Sequence, residues 1–257
     1  MPALTISIEL LALLFLVGLM AGFIDSIAGG GGLIALPALL SIGLPPQIAL
    51  GTNKLQGTFG TFSATWNFLR KGEISLSEVW RGVIFTLIGA GIGAWSIQQI
   101  DAGFLQQIIP FLLLGVFLHT LLSKDLGFKE RPARLESPIF FFIFGLLLGF
   151  YDGFFGPGTG SFWTAAILLL LGLNMTKATG ITKVMNFSSN VIALILFIQG
   201  GNVVYSVGLS MGAGQLIGAR IGSGLAIKKG AAFIRPVFLS VVFVTILRLA
   251  YVNYQGS

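Results

Sequence analysis

Two carboxylates and two ammonium groups stand in apolar or glycine-rich stretches of this chain, and they come in matched pairs. Asp25 sits in GFIDSIAGGGG (22–32) and Asp152 in GFYDGFFGPGTG (149–160). Lys54 ends GLPPQIALGTNK (43–54) and Lys183 ends GLNMTKATGITK (172–183). An ionisable group inside a hydrophobic segment is costly and is a functional candidate by default. Asp25 and Asp152 could carry protons for a coupled process, or they could cap the following glycine turn by accepting N–H bonds; the cap is the preferred reading. Lys54 and Lys183 each lie about 12 Å along their segment. From there they could face a cavity and neutralise an anion, or snorkel to the interface.

The glycines beside the acids pose a second question. Gly29, Gly30, Gly31 and Gly32, and in the second stretch Gly156, Gly158 and Gly160, oppose helix formation, because glycine loses the most backbone freedom on ordering. Unwound backbone at membrane depth is tolerated only where it is buried in protein or lines a wet cavity. A half-helix beginning there aims unpaired N–H groups and a positive dipole end into that cavity, which suits an anion. The alternative is close helix packing, which is how Gly18/Gly22, Gly89/Gly93, Gly145/Gly149/Gly153 and Gly214/Gly218/Gly222 read. Thr52, Asn53, Thr182, Asn186 and Asn190 are near the lysines in sequence and could add neutral hydrogen bonds or serve as interhelical glue. Arg220 replaces Gly91 of the first copy, and its planar guanidinium would suit a tetrahedral oxyanion or a sulfonate; its alternative is an ion pair with Asp25 or Asp152. His119 and Arg248 fall near segment ends and read as interfacial.

The elements that must position these groups are membrane helices. Of 257 residues, 55% are hydrophobic and 9% charged, with a mean hydropathy of +0.93; a soluble domain carries roughly 25% charged residues. Stretches long enough to cross a bilayer, about 20 residues, lie at 6–28, 46–68, 79–100, 104–122, 138–155, 176–198, 203–227 and 233–251. Shorter apolar runs, 33–44 and 162–173, lie between them; a run of about 12 residues makes roughly 18 Å of helix against about 30 Å of hydrocarbon. The expected fold is an all-α polytopic membrane protein of eight to ten membrane segments, including two short broken half-helices after the glycine-rich loops. The first stretch lacks a basic leader and a small-residue cleavage pattern, so it reads as a span. The chain has no cysteine, which excludes thiolate metal sites and cysteine nucleophiles. Its formal charge of +6 is dispersed in short loops, a pattern of membrane topology with no call for nucleic acid.

The matched motifs belong to an internal repeat. Asp25 and Gly29 recur as Asp152 and Gly156 at an offset of 127; the offset then becomes 129 and carries Lys54 to Lys183, Gly72 to Gly201 and IGAGIGA (88–94) to IGARIGS (217–223). Pro110 and Pro236 close the series. Two five-segment units result, 1–123 and 137–257, joined by a charged linker at 124–136. An odd number of crossings inverts the second unit. With the N-terminus outside, the inside loops collect Arg70, Lys71, Arg81, Lys124, Lys129, Arg131, Arg134, Lys177, Lys228, Lys229 and Arg235, while connections 43–47, 100–103 and 199–202 hold no Lys or Arg. The expected architecture is therefore an inverted repeat with loop 124–136 cytoplasmic.

The sequence holds no GxGD motif to partner Tyr151-Asp152 and no Walker A pattern, and its one histidine, His119, reads as interfacial, so no enzyme is expected. The glycine-rich stretch 22–54 and its degenerate copy resemble the TauE/SafE family of sulfite-exporter-like membrane transporters, over about 11–249. The resemblance implies a bacterial or archaeal inner-membrane transporter, often of sulfite, sulfoacetate or other sulfur-containing anions. The second copy departs from the first, with Pro157 and Thr159 among its glycines and Ile181-Thr182 in place of Thr52-Asn53. The expected activity is export of a small anion by alternating access, with no cofactor and no metal. A passive anion channel, or a carrier of an unrelated organic anion, is the alternative. The GxxxG faces could also support a homodimer.

Overall fold

The computed structural model describes residues 7–104, 132–230 and Phe233. Their helices are α1 (Ile8–Ala28), α2 (Gly32–Ser41), α3 (Pro46–Arg70), α4 (Leu76–Ile97), α5 (Ser137–Phe154), α6 (Thr159–Ala166) continued by a π-helical turn (Ile167–Leu171), α7 (Met175–Gln199) and α8 (Tyr205–Lys229). Four of these, α1, α4, α5 and α7, are long and apolar enough to cross a membrane. Pro110, His119, Lys124, Lys129, Arg131, Arg235, Pro236 and Arg248, with most of the segments expected at 104–122 and 233–251, lie outside the described residues.

Element order repeats: long helix, short helix, long helix, long helix, with α1 to α4 answered by α5 to α8. The short helices are short for local reasons. Ser7 starts α1 by accepting from the Leu10 N–H, and Gly29, left-handed at φ 78°, ends it. Three residues later α2 begins at Gly32, and it runs for only 10 residues, about 15 Å. In the second half Gly156 and Gly158 both have positive φ, and α6 begins at Thr159. The π-helical turn that follows accounts for the offset change from 127 to 129. The second short helix reaches Leu171 where the first stops at Ser41, and extra residues in a helix are accommodated by i→i+5 turns.

Contacts cross between the halves. Glycines on α1 lie against α8, Gly18 on Met211 and Gly22 on Gln215, so these helices run parallel; α4 and α5 do the same through Gly89 on Leu146 and Gly93 on Phe150. The spaced glycines thus serve as the close-packing faces expected of them. In contrast α3 and α7, which hold equivalent places, run antiparallel: Gly51 faces Phe197, Gly57 faces Asn190 and Gly180 faces Phe68. Two apolar clusters flank this central pair. One surrounds α2 through Leu33, Leu36 and Leu39, and the other surrounds the second short helix through Trp163, Ile167 and Leu171.

The connections sort by charge. Lys177 at the start of α7 pairs with Glu78 at the start of α4, 3.1 Å apart, at the end of the bundle where Phe68 of α3 meets Gly180 of α7. At the other end Gln47 donates to the Ile100 carbonyl at 2.9 Å, and Asn202 donates to Gln98 at 2.9 Å. The loops without cations therefore gather at one end.

Candidate functional site

Each unwound loop leaves an aspartate near a broken helix end, and each aspartate is held by the lysine of the opposite half. Lys54 Nζ lies 2.7 Å from Asp152 Oδ1 and also donates to the Asp152 carbonyl. Lys183 Nζ lies 3.0 Å from Asp25 Oδ2 and donates to the Asp25 carbonyl. Both lysines are fully buried, at 1% and 0% exposure. Antiparallel α3 and α7 make this reciprocity possible, because each delivers its lysine to the loop of the other half.

The two acids differ in their remaining bonds. Asp25 Oδ1 accepts the Gly31 N–H at 3.2 Å, the cap expected of it. Asp152 accepts the Ser189 hydroxyl on Oδ2 instead, and among the described residues it caps no backbone N–H. The loops touch backbone to backbone: a methyl group on Gly29 would come within 2.5 Å of the Gly160 carbonyl carbon, and one on Gly32 within 3.0 Å of Pro157 Cα.

A cavity of about 40 Å³ opens beside this crossing, room for roughly three to four waters at about 10–15 Å³ each. Its walls include Asp25, Gly29, Gly32, Asn53, Lys54, Asp152, Gly156, Gly158, Gly160, Asn186 and Asn190, so most of the expected site residues converge. The N–H groups of Gly32, Gly158 and Gly160 take no acceptor among the described residues. Gln56 Oε1 and Asn186 Oδ1 are buried with no hydrogen-bond partner among the described residues. The cavity thus presents free donors from two helix starts, one ammonium group, and amides that can turn either way.

Several expected residues lie elsewhere. Arg220 does not line the cavity and pairs with neither aspartate; it is exposed, and its Nη1 donates to Asn67 Oδ1 on α3. Arg220 is two residues from both Gly218 and Gly222, which face α1, and two residues on a helix is a turn of about 200°. Lys183 is confined to its pair with Asp25. Thr52 Oγ1 accepts the Val204 N–H at 3.0 Å, capping the start of α8. Thr182 lies against Thr164, 3.1 Å between hydroxyls. Gly31 faces back onto Asp25 and Ala21, and neither it nor Gly30 lines the cavity.

Four wall residues were not singled out from sequence: Gln56, Gly57, Thr61 and Gln215. Thr61 was within reach, because at the 129 offset it is the counterpart of Asn190. The two meet across the centre, Asn190 Nδ2 to Thr61 Oγ1 at 3.4 Å. Gln215 is the lone amide in a glycine-rich face, and Gly60 makes room for it: a methyl there would overlap Gln215 Oε1.

A polytopic bundle of this kind, with apolar helices around a buried polar chamber built from two broken helices, has the form of a membrane transporter. The chain belongs to the family described as Sulfite exporter TauE/SafE, which matches residues 14–249. It is 45% identical over 246 residues to a "Probable membrane transporter protein" of Haemophilus influenzae, covering 96% of each chain. It is equally 45% identical over 242 residues to "Probable membrane transporter protein YfcA" of Escherichia coli strain K12, covering 94% of this chain and 90% of that one. A more distant relative is "Probable membrane transporter protein YdhB" of Bacillus subtilis, 26% identical over 241 residues, covering 88% and 96%. No solved structure matches the chain.

Proposed function

We propose that this protein is a secondary carrier that exports a small anion, a sulfur oxyanion or an organosulfonate, across the inner membrane by alternating access. The observation that carries this reading is the cavity at the crossing of the two glycine loops, where the donors of two half-helix starts and the Lys54 ammonium converge. Donors fixed in a site shielded from water hold an anion without reorganising.

The reading takes the halves as an inverted repeat. It is supported by the antiparallel course of α3 and α7 and by the reciprocal pairs Lys54–Asp152 and Lys183–Asp25. Rocking of one half against the other about the loop crossing would open the cavity to each side in turn. The end carrying Arg70, Lys71 and Lys177 is assigned to the cytoplasm on charge. A potential negative inside drives anions outward, which suits export. In this scheme Lys54 passes from Asp152 to the substrate, and no residue performs catalysis. Tight GxxxG faces already joined within the chain leave a homodimer to other surfaces.

The test is transport in proteoliposomes. Concentration jumps of sulfite, thiosulfate, sulfate, sulfoacetate and zwitterionic taurine are followed by tracer flux, with protein-free liposomes alongside. Saturable, exchangeable flux of one anion, without taurine flux, is the expected result. Flux that never saturates would make the protein a passive channel, and saturable flux of only a carbon-based acid would move the substrate class.

A further inference from the structure

Resting on that anion reading, we propose that Asp152 is a proton-binding site of the transport cycle: an anion displaces it from Lys54, and Asp152 takes up one proton, so anion and proton move together.

Charge balance is the first argument. Lys54, Lys183, Asp25 and Asp152 sum to zero, and the lysines are fully buried. An anion arriving beside Lys54 would leave one uncompensated negative charge in a poorly solvated chamber, at a cost of several kcal/mol in typical proteins. One proton on one carboxylate restores neutrality.

Hydrogen bonding selects which carboxylate. Asp152 Oδ2 is bound by the Ser189 hydroxyl, and Ser189 Oγ also lies 3.0 Å from the Asn186 carbonyl. With Asp152 ionised, the hydroxyl donates to it. With Asp152 protonated, the acid donates to Ser189 Oγ and the hydroxyl turns to the Asn186 carbonyl, so both states are satisfied without moving the backbone. Among the described residues Asp25 has no such hydroxyl partner. Protonating it would weaken the Gly31 cap, and its lysine does not line the cavity.

The other groups around Asp152 do not compete for this proton. Lys54 reaches it from α3 and Ser189 from α7; α4 packs on α5 there through Ala90 and Gly93, and the neighbouring Tyr151 hydroxyl donates to the Pro157 carbonyl at 3.0 Å. The proton comes from water admitted with the substrate and leaves when the anion leaves. A monovalent anion then moves without net charge, so its direction is set by its own gradient and the pH difference, whereas a divalent one carries a single negative charge and keeps the outward drive of a potential negative inside.

The experiment is calorimetric titration of the full-length protein in detergent with thiosulfate, sulfate and methanesulfonate, each in two buffers of different ionisation enthalpy. These probes keep their own charge around neutral pH. The expected result is uptake of one proton per anion bound, with affinity falling about tenfold per pH unit over the range in which that uptake occurs. Asp152→Asn should abolish the uptake and the pH dependence. Ser189→Ala, which keeps every charge, should shift the pH at which uptake occurs. Binding without proton uptake in the unaltered protein would overturn the proposal and leave the anion site standing. Absence of binding by all three anions would overturn both.

Discussion

At the scale of single residues, the site is a set of compensated charges, and its variants should separate folding from transport. Removing one member of a buried pair leaves the other charge unpaired, typically a loss of about 3–5 kcal/mol. Lys54→Met and Asp152→Leu should each lower thermal stability in detergent. The double variant should recover much of that stability yet remain inactive in flux assays. If the double variant transports normally, Lys54 is not the substrate's cation. Gly60→Ala should fold but displace the Gln215 amide that occupies its open side, and a changed substrate affinity with an unchanged melting temperature would report it. The repeat made the residues Asp25, Asp152, Lys54 and Lys183 legible in sequence, but not which acid met which base. That choice is made by helix direction, a property of the assembled bundle. Arg220 misled because a break in the pattern was read as a site, while its angular position relative to Gly218 and Gly222 already placed it on another face.

Helices and loops carry the next set of constraints. The contact between Gly29 and Gly160 leaves no room for a side chain on either strand, and Gly29 has φ 78°. Gly43 is also left-handed, at φ 85°, but faces open space. Gly29→Ala should therefore abolish recovery of folded protein, while Gly43→Ala should cost only the left-handed penalty of about 1–2 kcal/mol. Similar losses from both variants, measured by melting in detergent, would mean that the loop crossing is not tightly packed. The two half-helices were readable from length alone, because about 12 apolar residues cannot span hydrocarbon. The π-helical turn was not: an offset change of two residues locates an insertion but does not say whether a loop or a helix absorbs it.

For the whole molecule, the arrangement predicts opposite exposure of equivalent loops. The natural chain has no cysteine, so any introduced thiol is unique. Lys71→Cys and Gln199→Cys, both at exposed positions, should react with an impermeant reagent from opposite sides of the membrane. Labelling of both from one side would rule out the inverted arrangement. The packing of α1 on α8 has a further consequence, in the order of synthesis. α1 leaves the ribosome before its close-packed partner α8, which follows it in the helix order with α2 to α7 between them. Until then it lacks that partner in lipid, and it is the most apolar of the four candidate spans, with a hydropathy of 2.3. α8 arrives when a ready-made groove awaits it, which lets it carry the glycines, Gln215 and Arg220 that an unaccompanied helix could not bring into the bilayer. Biogenesis thus divides the labour within this pair: α1 is apolar enough to insert without its partner, and α8 carries part of the polarity of the site.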